Sequence, residues 1–127
     1  MKIVCAEDCG NAPKKRILKD FHIALAKRDF SFIEEQLSDA VVWNVIGDQV
    51  YQGKEAVLNE LKQNSLADIT ELHIHNIITH GWIASANGTV YVEQGKRCEF
   101  CYVYRFSSAG KNAKLKEVTV YIIQVDV

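Results

Sequence analysis

Val42-Trp43-Asn44-Val45-Ile46-Gly47-Asp48-Gln49-Val50-Tyr51-Gln52-Gly53-Lys54-Glu55-Ala56-Val57 is the stretch on which the fold turns. The β-branched and aromatic run Ala40–Ile46 predicts a strand. Gly47-Asp48 breaks it, and Val50-Tyr51 can pair briefly before Gly53. Lys54 to about Asn64 then reads as a helix with Val57, Leu58 and Leu61 inward. Helical patterns precede this stretch and strands follow it. Trp43 and Asn44, next to a loop carrying Asp48, therefore stand where a small α+β domain can hold a ligand.

Working back towards the N-terminus, Pro13 suits a first helical position. Ile17, Leu18, Phe21, Ala24 and Leu25 recur at helical spacing as far as about Lys27, with His22 at the border of that apolar face. Asp29 is placed to cap a second helix whose buried face is Phe32, Ile33 and Leu37, and Ser38-Asp39 ends it. Residues 1–12 read as an arm: Ile3 and Val4 can pack on the core, and Asp8-Cys9-Gly10-Asn11 is turn chemistry.

Forward of the stretch, Ser65 to Asp68 is loop and the rest is strands. Ile69–Thr79, Ile83–Glu93, Arg97–Ser107 and Leu115–Val125 are separated by His80-Gly81, Gln94-Gly95-Lys96 and Ser108–Ala113. Three successive hairpins make an antiparallel meander. Helices first and a long sheet afterwards is the α+β pattern, with helices on one face. The third of these strands places Phe100, Tyr102, Tyr104 and Phe106 on one side, with Cys101 and Val103 on the other. A sheet with one wet face alternates more cleanly than this, and no helix remains to cover the second face. A homodimer packed through the outer sheet face is the expectation.

The 127 residues suit one domain spanning 1–127, with its arm at 1–12. Apolar residues make up 48% and charged residues 24%, near the globular average, so a packed core is within reach. The net charge is -1, and the longest block of like charge is Lys14-Lys15-Arg16, which argues against a nucleic-acid partner or an anionic membrane surface. No apolar run approaches the roughly 18 residues of a membrane span. The N-terminus lacks a signal's long apolar core, so the reading is cytoplasmic, and Cys5, Cys9, Cys98 and Cys101 are expected to stay reduced.

At this point the order of elements, with Trp43-Asn44-Val45-Ile46-Gly47 and Gly53-Lys54-Glu55-Ala56-Val57, resembles the SnoaL-like branch of the nuclear transport factor 2-like superfamily. Lys27-Arg28-Asp29-Phe30 resembles that family's polar-Asp turn after the first helix. Tyr104-Arg105-Phe106 and Gly110-Lys111 resemble its aromatic-Arg-Phe strand and following Gly turn. The resemblance spans about residues 14–125 and rests on combination and spacing. It implies a cystatin-like cone, in which N-terminal helices pack on a curved antiparallel sheet and a pocket opens at the wide end. Members include steroid isomerases, polyketide cyclases, epoxide hydrolases, dehydratases and binding proteins, so fold alone leaves function open.

Carried over residue by residue, the resemblance loses most of the known chemistry. Steroid isomerases of the superfamily place a Tyr on the first helix, a general-base Asp after the first strand and a protonated Asp on the third long strand. The matching positions are Phe21, Asn44 and Tyr102, or Tyr104 if the strand is anchored on Gln94-Gly95. Phe21 has no proton to donate, and an amide cannot act as a general base; Tyr102 can still donate. The Asp-Arg-Asp set of the epoxide hydrolases cannot be assembled. His22 and Asp48 are the nearby candidates for a cyclase-type Asp/His pair.

The candidate ligand-binding set is therefore Phe21, His22, Trp43, Asn44, Asp48, Phe100, Tyr102, Tyr104, Val118, Val120 and Ile122, with Tyr102 as the best candidate for a catalytic or polar handle. The many apolar groups imply a largely apolar small molecule. Each residue also has a plainer reading: Trp43 as packing, Tyr102 as a satisfied core tyrosine, Asp48 as a turn former, His22 as a helix-border histidine. No metal and no cofactor are expected. His73 and His75 share a strand face roughly 7 Å apart, within reach of a third ligand such as His80, but Leu72 and Ile74 take the core side. Cys98 and Cys101 have CxxC spacing, yet in a strand their sulfurs point to opposite faces. Cys5 and Cys9 can join a zinc set, or pair as a disulfide, only through the arm. The expectation is a small-molecule binder. Isomerase or lyase chemistry of the polyketide cyclase or ketosteroid isomerase kind, and a non-catalytic assembly module, are the alternatives.

Overall fold

A computed structural model describes residues 1–5, 12–63, 68–110 and 112–125, Gln94 without its side chain. The Asp8–Asn11 turn, Cys9, Asn64, most of the Ser65–Asp68 loop and Lys111 lie outside them.

The opening stretch folds as its residues direct. Strand β2 (Leu37–Val45) turns through Ile46, Gly47 and Asp48 into β3 (Val50–Gln52), which pairs back on β2 antiparallel. Gly47 stands at φ 83° and Gly53 at φ 92°, where a side chain would be strained. Gly53 bonds its N–H to the carbonyl of Val41 at 2.8 Å and accepts from Val57 at 3.1 Å, so it joins β3 to α3 (Lys54–Gln63).

Helix α1 runs Pro13–Lys27 with Pro at its start and ends on Arg28 in the left-handed region at φ 60°. Arg28 tolerates that conformation because its guanidinium is spoken for: it donates to the carbonyls of Lys62 at 2.7 Å and Leu61 at 3.5 Å, and stacks 5.0 Å from the Phe30 ring. Asp29 caps α2 (Phe30–Gln36) by accepting from the Phe32 N–H at 3.2 Å. Leu37 is not the last turn of α2, as its spacing suggests, but the first residue of β2; its burial at 1% is met from a strand.

Four long strands follow: β4 (Ile69–His80), β5 (Ile83–Val92), β6 (Arg97–Phe106) and β7 (Leu115–Val125), joined as a meander. The wholly antiparallel sheet expected from the sequence needs correction. The seven strands are ordered β1-β4-β5-β6-β7-β2-β3, and two pairings, β1 with β4 and β2 with β7, are parallel. Both arise because a strand far away in sequence returns to an edge of the meander that the hairpins leave unpaired. The arm is likewise more ordered than expected, for Lys2–Cys5 is strand β1 on that edge. Cys5 at its end is disulfide-bonded, so the expectation of four thiols fails there, while Cys98 and Cys101 stay out of disulfides. Cys9, the partner weighed from the sequence, lies outside the described residues.

The helices cover one face of this curved, unclosed mixed sheet. Leu18, Phe21, Ile33, Trp43, Tyr104, Phe106 and Val118 are buried between the layers, each worth roughly 1.5–3 kcal/mol of apolar transfer. At one end Lys14 pins α1 to two strand turns, donating to the carbonyls of Gly81 at 2.8 Å and Ser108 at 3.1 Å, with Phe106 under its ammonium at 4.8 Å. At the other end the helices and sheet diverge. Among the described residues, no helix is long and apolar enough to cross a membrane.

Candidate functional site

Where the layers diverge they enclose a cavity of about 710 Å³, within the range of small-molecule sites. Its walls come from every layer. Helix α1 brings His22, Leu25 and Ala26, α2 brings Phe30 and Ile33, and α3 brings Leu61. The sheet supplies Trp43 and Val45 from β2, Ile69 and Leu72 from β4, and Val90 from β5. Phe100 and Tyr102 enter from β6, Val120 and Ile122 from β7. Strand alternation explains the spacing: 43 and 45, 100 and 102, 120 and 122 each share a face. The charged lining residues Lys27, Arg28, Glu60 and Asp68 sit at or near element ends.

Six rings interlock at the inner end. His22 stacks on Phe100 at 4.9 Å and meets Tyr102 edge-on at 4.8 Å. Tyr102 in turn lies 6.0 Å from Trp43 and from Tyr104, and Phe21 meets Tyr104 edge-on at 6.1 Å. The hydroxyl of Tyr104 is hydrogen-bonded to Nε2 of His22. Burial removes water from all three polar rings. It pushes the His22 imidazolium down to about 3, because the charged form loses its hydration, and it pushes the hydroxyls of Tyr102 and Tyr104 upward for the same reason. His22 is therefore a neutral ring at ordinary pH. The Tyr102 hydroxyl has no hydrogen-bond partner among the described residues.

The candidate residues separate. His22, Trp43, Phe100, Tyr102, Val120 and Ile122 stand in the cavity wall. Phe21, Tyr104 and Val118 do not: each is wholly buried one step deeper, where helix and sheet close on one another. Asn44 alternates away from Trp43 and Val45 to the opposite face of β2, paired with Val50 and Thr119. Asp48 is a turn former in the β2–β3 connection, its N–H bonded to the Val45 carbonyl at 3.0 Å, so His22 and Asp48 form no acid–base pair. The first-helix position that reaches the cavity is thus His22, one residue on from Phe21. The wall residues of α2, α3 and β4 were visible in the sequence only as core periodicity; nothing local marks them as lining.

The metal candidates fall elsewhere. His73 bonds Glu71 at 2.7 Å and His75 bonds Thr89 at 3.0 Å. Among the described residues no three ligating side chains converge. Cys98 is buried on the inner face, and Cys101 points out, 3.7 Å from Ser85.

No protein-family model and no curated protein matches the sequence. Solved structures do match. An NTF-2 like protein of unknown function from Burkholderia xenovorans LB400 is 13% identical, with a TM-score of 0.75 over 91% of this chain and 86% of that one. A ketosteroid isomerase-like protein from Kribbella flavida DSM 17836 is 12% identical, TM-score 0.74, over 91% and 81%. A SnoaL-like cyclase from Shewanella denitrificans OS-217 is 11% identical, TM-score 0.71, over 86% and 89%. Identities this low speak for architecture and not for chemistry. With three helices on a curved mixed sheet and a cavity where they part, the chain has the fold of the SnoaL-like, nuclear transport factor 2-like superfamily.

Proposed function

We propose that this protein binds a small, largely apolar molecule in the cavity between α1, α3 and the sheet. The observation that carries the reading is a cavity of about 710 Å³ whose deep wall is aliphatic and aromatic apart from two polar groups, His22 and Tyr102. A protein using the fold only as a scaffold has no need to leave such a volume open, since filling it adds apolar burial. Fluorescence titration with 8-anilinonaphthalene-1-sulfonate tests it. The wild type is expected to bind and to release the dye when Ile122, a half-exposed wall residue, is replaced in Ile122→Trp. A folded wild type that leaves the dye dark removes the proposal.

Catalysis of the isomerase or lyase kind is the second reading, supported by the ketosteroid isomerase-like and SnoaL-like neighbours and by Tyr102 as a donor. Against it stands the deep wall, which offers no carboxylate; its one titrating base, His22, is held down by burial.

Assembly is compatible with either reading, and we propose a homodimer through the outer sheet face. Ile78, Val103, Tyr121 and Ile123 lie exposed there, Ile78 and Ile123 at 64% and 66%, and no helix covers them. The Cys5 disulfide weighs against the cytoplasmic placement read from the sequence, since disulfides persist in oxidising compartments.

A further inference from the structure

The bond between Tyr104 and His22 decides more than packing. Tyr104 is wholly buried, and among the described residues its hydroxyl has one neighbour able to accept a proton, Nε2 of His22. A buried O–H left without an acceptor is costly, so the hydroxyl donates and Nε2 accepts. Neutral imidazole has one N–H. With Nε2 committed as the acceptor, that N–H is on Nδ1. His22 is neutral for an independent reason, its burial.

Nδ1 of His22 has no bond to the protein among the described residues, and neither has the Tyr102 hydroxyl. Neither atom is sealed away: the one side-chain polar atom both buried and partnerless there is Nε of Arg97. Both rings stand in the cavity wall, 4.8 Å apart, so the two groups open on the cavity. Nδ1–H can only donate, and the hydroxyl has its proton free to donate as well. In an otherwise apolar wall, two adjacent donors match one acceptor oxygen with two lone pairs.

We infer that Tyr104 is a positioning residue that locks His22 as its Nδ1–H tautomer, and that His22 and Tyr102 together select an apolar ring compound bearing an acceptor oxygen, such as a cyclic ketone. The inference rests on the cavity being a binding site. An occupant without an acceptor displaces the water these donors would otherwise bond and leaves both unpaired.

Two measurements on the intact protein test this. The first needs no ligand: nitrogen-15 NMR of histidine-labelled protein at neutral pH. The expected spectrum shows Nδ1 protonated and Nε2 bare; a proton on Nε2 overturns the inference. In Tyr104→Phe the lock is gone, and both tautomers are expected; an unchanged tautomer means Tyr104 positions nothing. The second compares 1-tetralone with tetralin, the same bicyclic skeleton without the oxygen, by displacement of the dye. The ketone is expected to bind roughly tenfold to a hundredfold more tightly. Its bound carbonyl stretch is expected at lower frequency than in cyclohexane, shifting back in Tyr102→Phe, while tetralin affinity holds. Equal affinity for the two compounds overturns the inference and leaves the cavity as a general apolar site. Binding of neither compound, nor of the dye, removes the binding reading and the inference with it.

Discussion

His22 is the residue whose environment departs furthest from water, and its titration gives a direct handle on the fold. Its folded-state value is depressed from 6.5 to about 3 by burial, so between those values the unfolded chain takes up a proton that the folded chain refuses. The contribution is fully present above about pH 6.5 and is lost as the pH falls towards 3. Its size is bounded at on the order of 5 kcal/mol, from about 1.4 kcal/mol for each pH unit of that gap. Denaturant melts at pH 7.5 and pH 4 are expected to show the wild type losing several kcal/mol more than His22→Gln; parallel losses in the two proteins would remove the claim. Arg28 is the other residue held against its preference. In Arg28→Ala the left-handed backbone remains strained while the bonds to Leu61 and Lys62 vanish. A cost of about 1–2 kcal/mol is expected, with faster amide exchange in the last turn of α3, beside the cavity mouth.

At the scale of the element, the β4–β5 ladder depends on one missing side chain. Its register shifts between Ile74 and Asn76, opposite Gly88. A Cβ at Gly88 would stand 2.0 Å from the His73 carbonyl oxygen and 2.8 Å from the Phe100 ring. The first neighbour is backbone and cannot move aside without breaking the ladder; the second is the cavity's inner wall. Gly88→Ala is therefore expected to cost about 2–4 kcal/mol by chemical denaturation and to weaken dye binding through Phe100. A near-neutral result would show that β4 shifts freely. The Asp29 cap is a smaller matter: Asp29→Ala should cost about 1 kcal/mol, and α2 keeps its place through Ile33.

For the whole molecule, the two faces of the sheet do different things. The inner face holds the aromatic cluster and the cavity. The outer face mixes exposed Ile78, Val103, Tyr121 and Ile123 with the hydrogen-bonded chain His75–Thr89–Glu99. An apolar patch rimmed by paired polar groups is the composition of an interface between copies. Sedimentation equilibrium at micromolar concentration is expected to give a dimer, and Ile123→Lys a monomer with unchanged thermal stability of its fold. A monomeric wild type would count against the dimer and leave the cavity unaffected.

Much of this architecture is legible from residues that act locally. Pro13 and Asp29 start helices, Gly47 and Gly53 bend the chain, and the alternation from Phe100 to Phe106 marks a strand with one apolar face. Such signals depend on neighbours a few positions away, so they survive without knowledge of the fold. What the chain could not disclose by itself are relations between distant residues. The parallel pairings of β1 and β2, the turning of Asn44 away from the cavity and the placement of His22 rather than Phe21 in its wall are fixed by how far the sheet curves over α1. The His22–Tyr104 bond joins positions 82 apart, and no periodicity encodes it. Residue types determined the layers and the apolar character of the interior. Only tertiary packing decided which side chains face the space left between those layers, because the curvature that opens the cavity is summed over every strand.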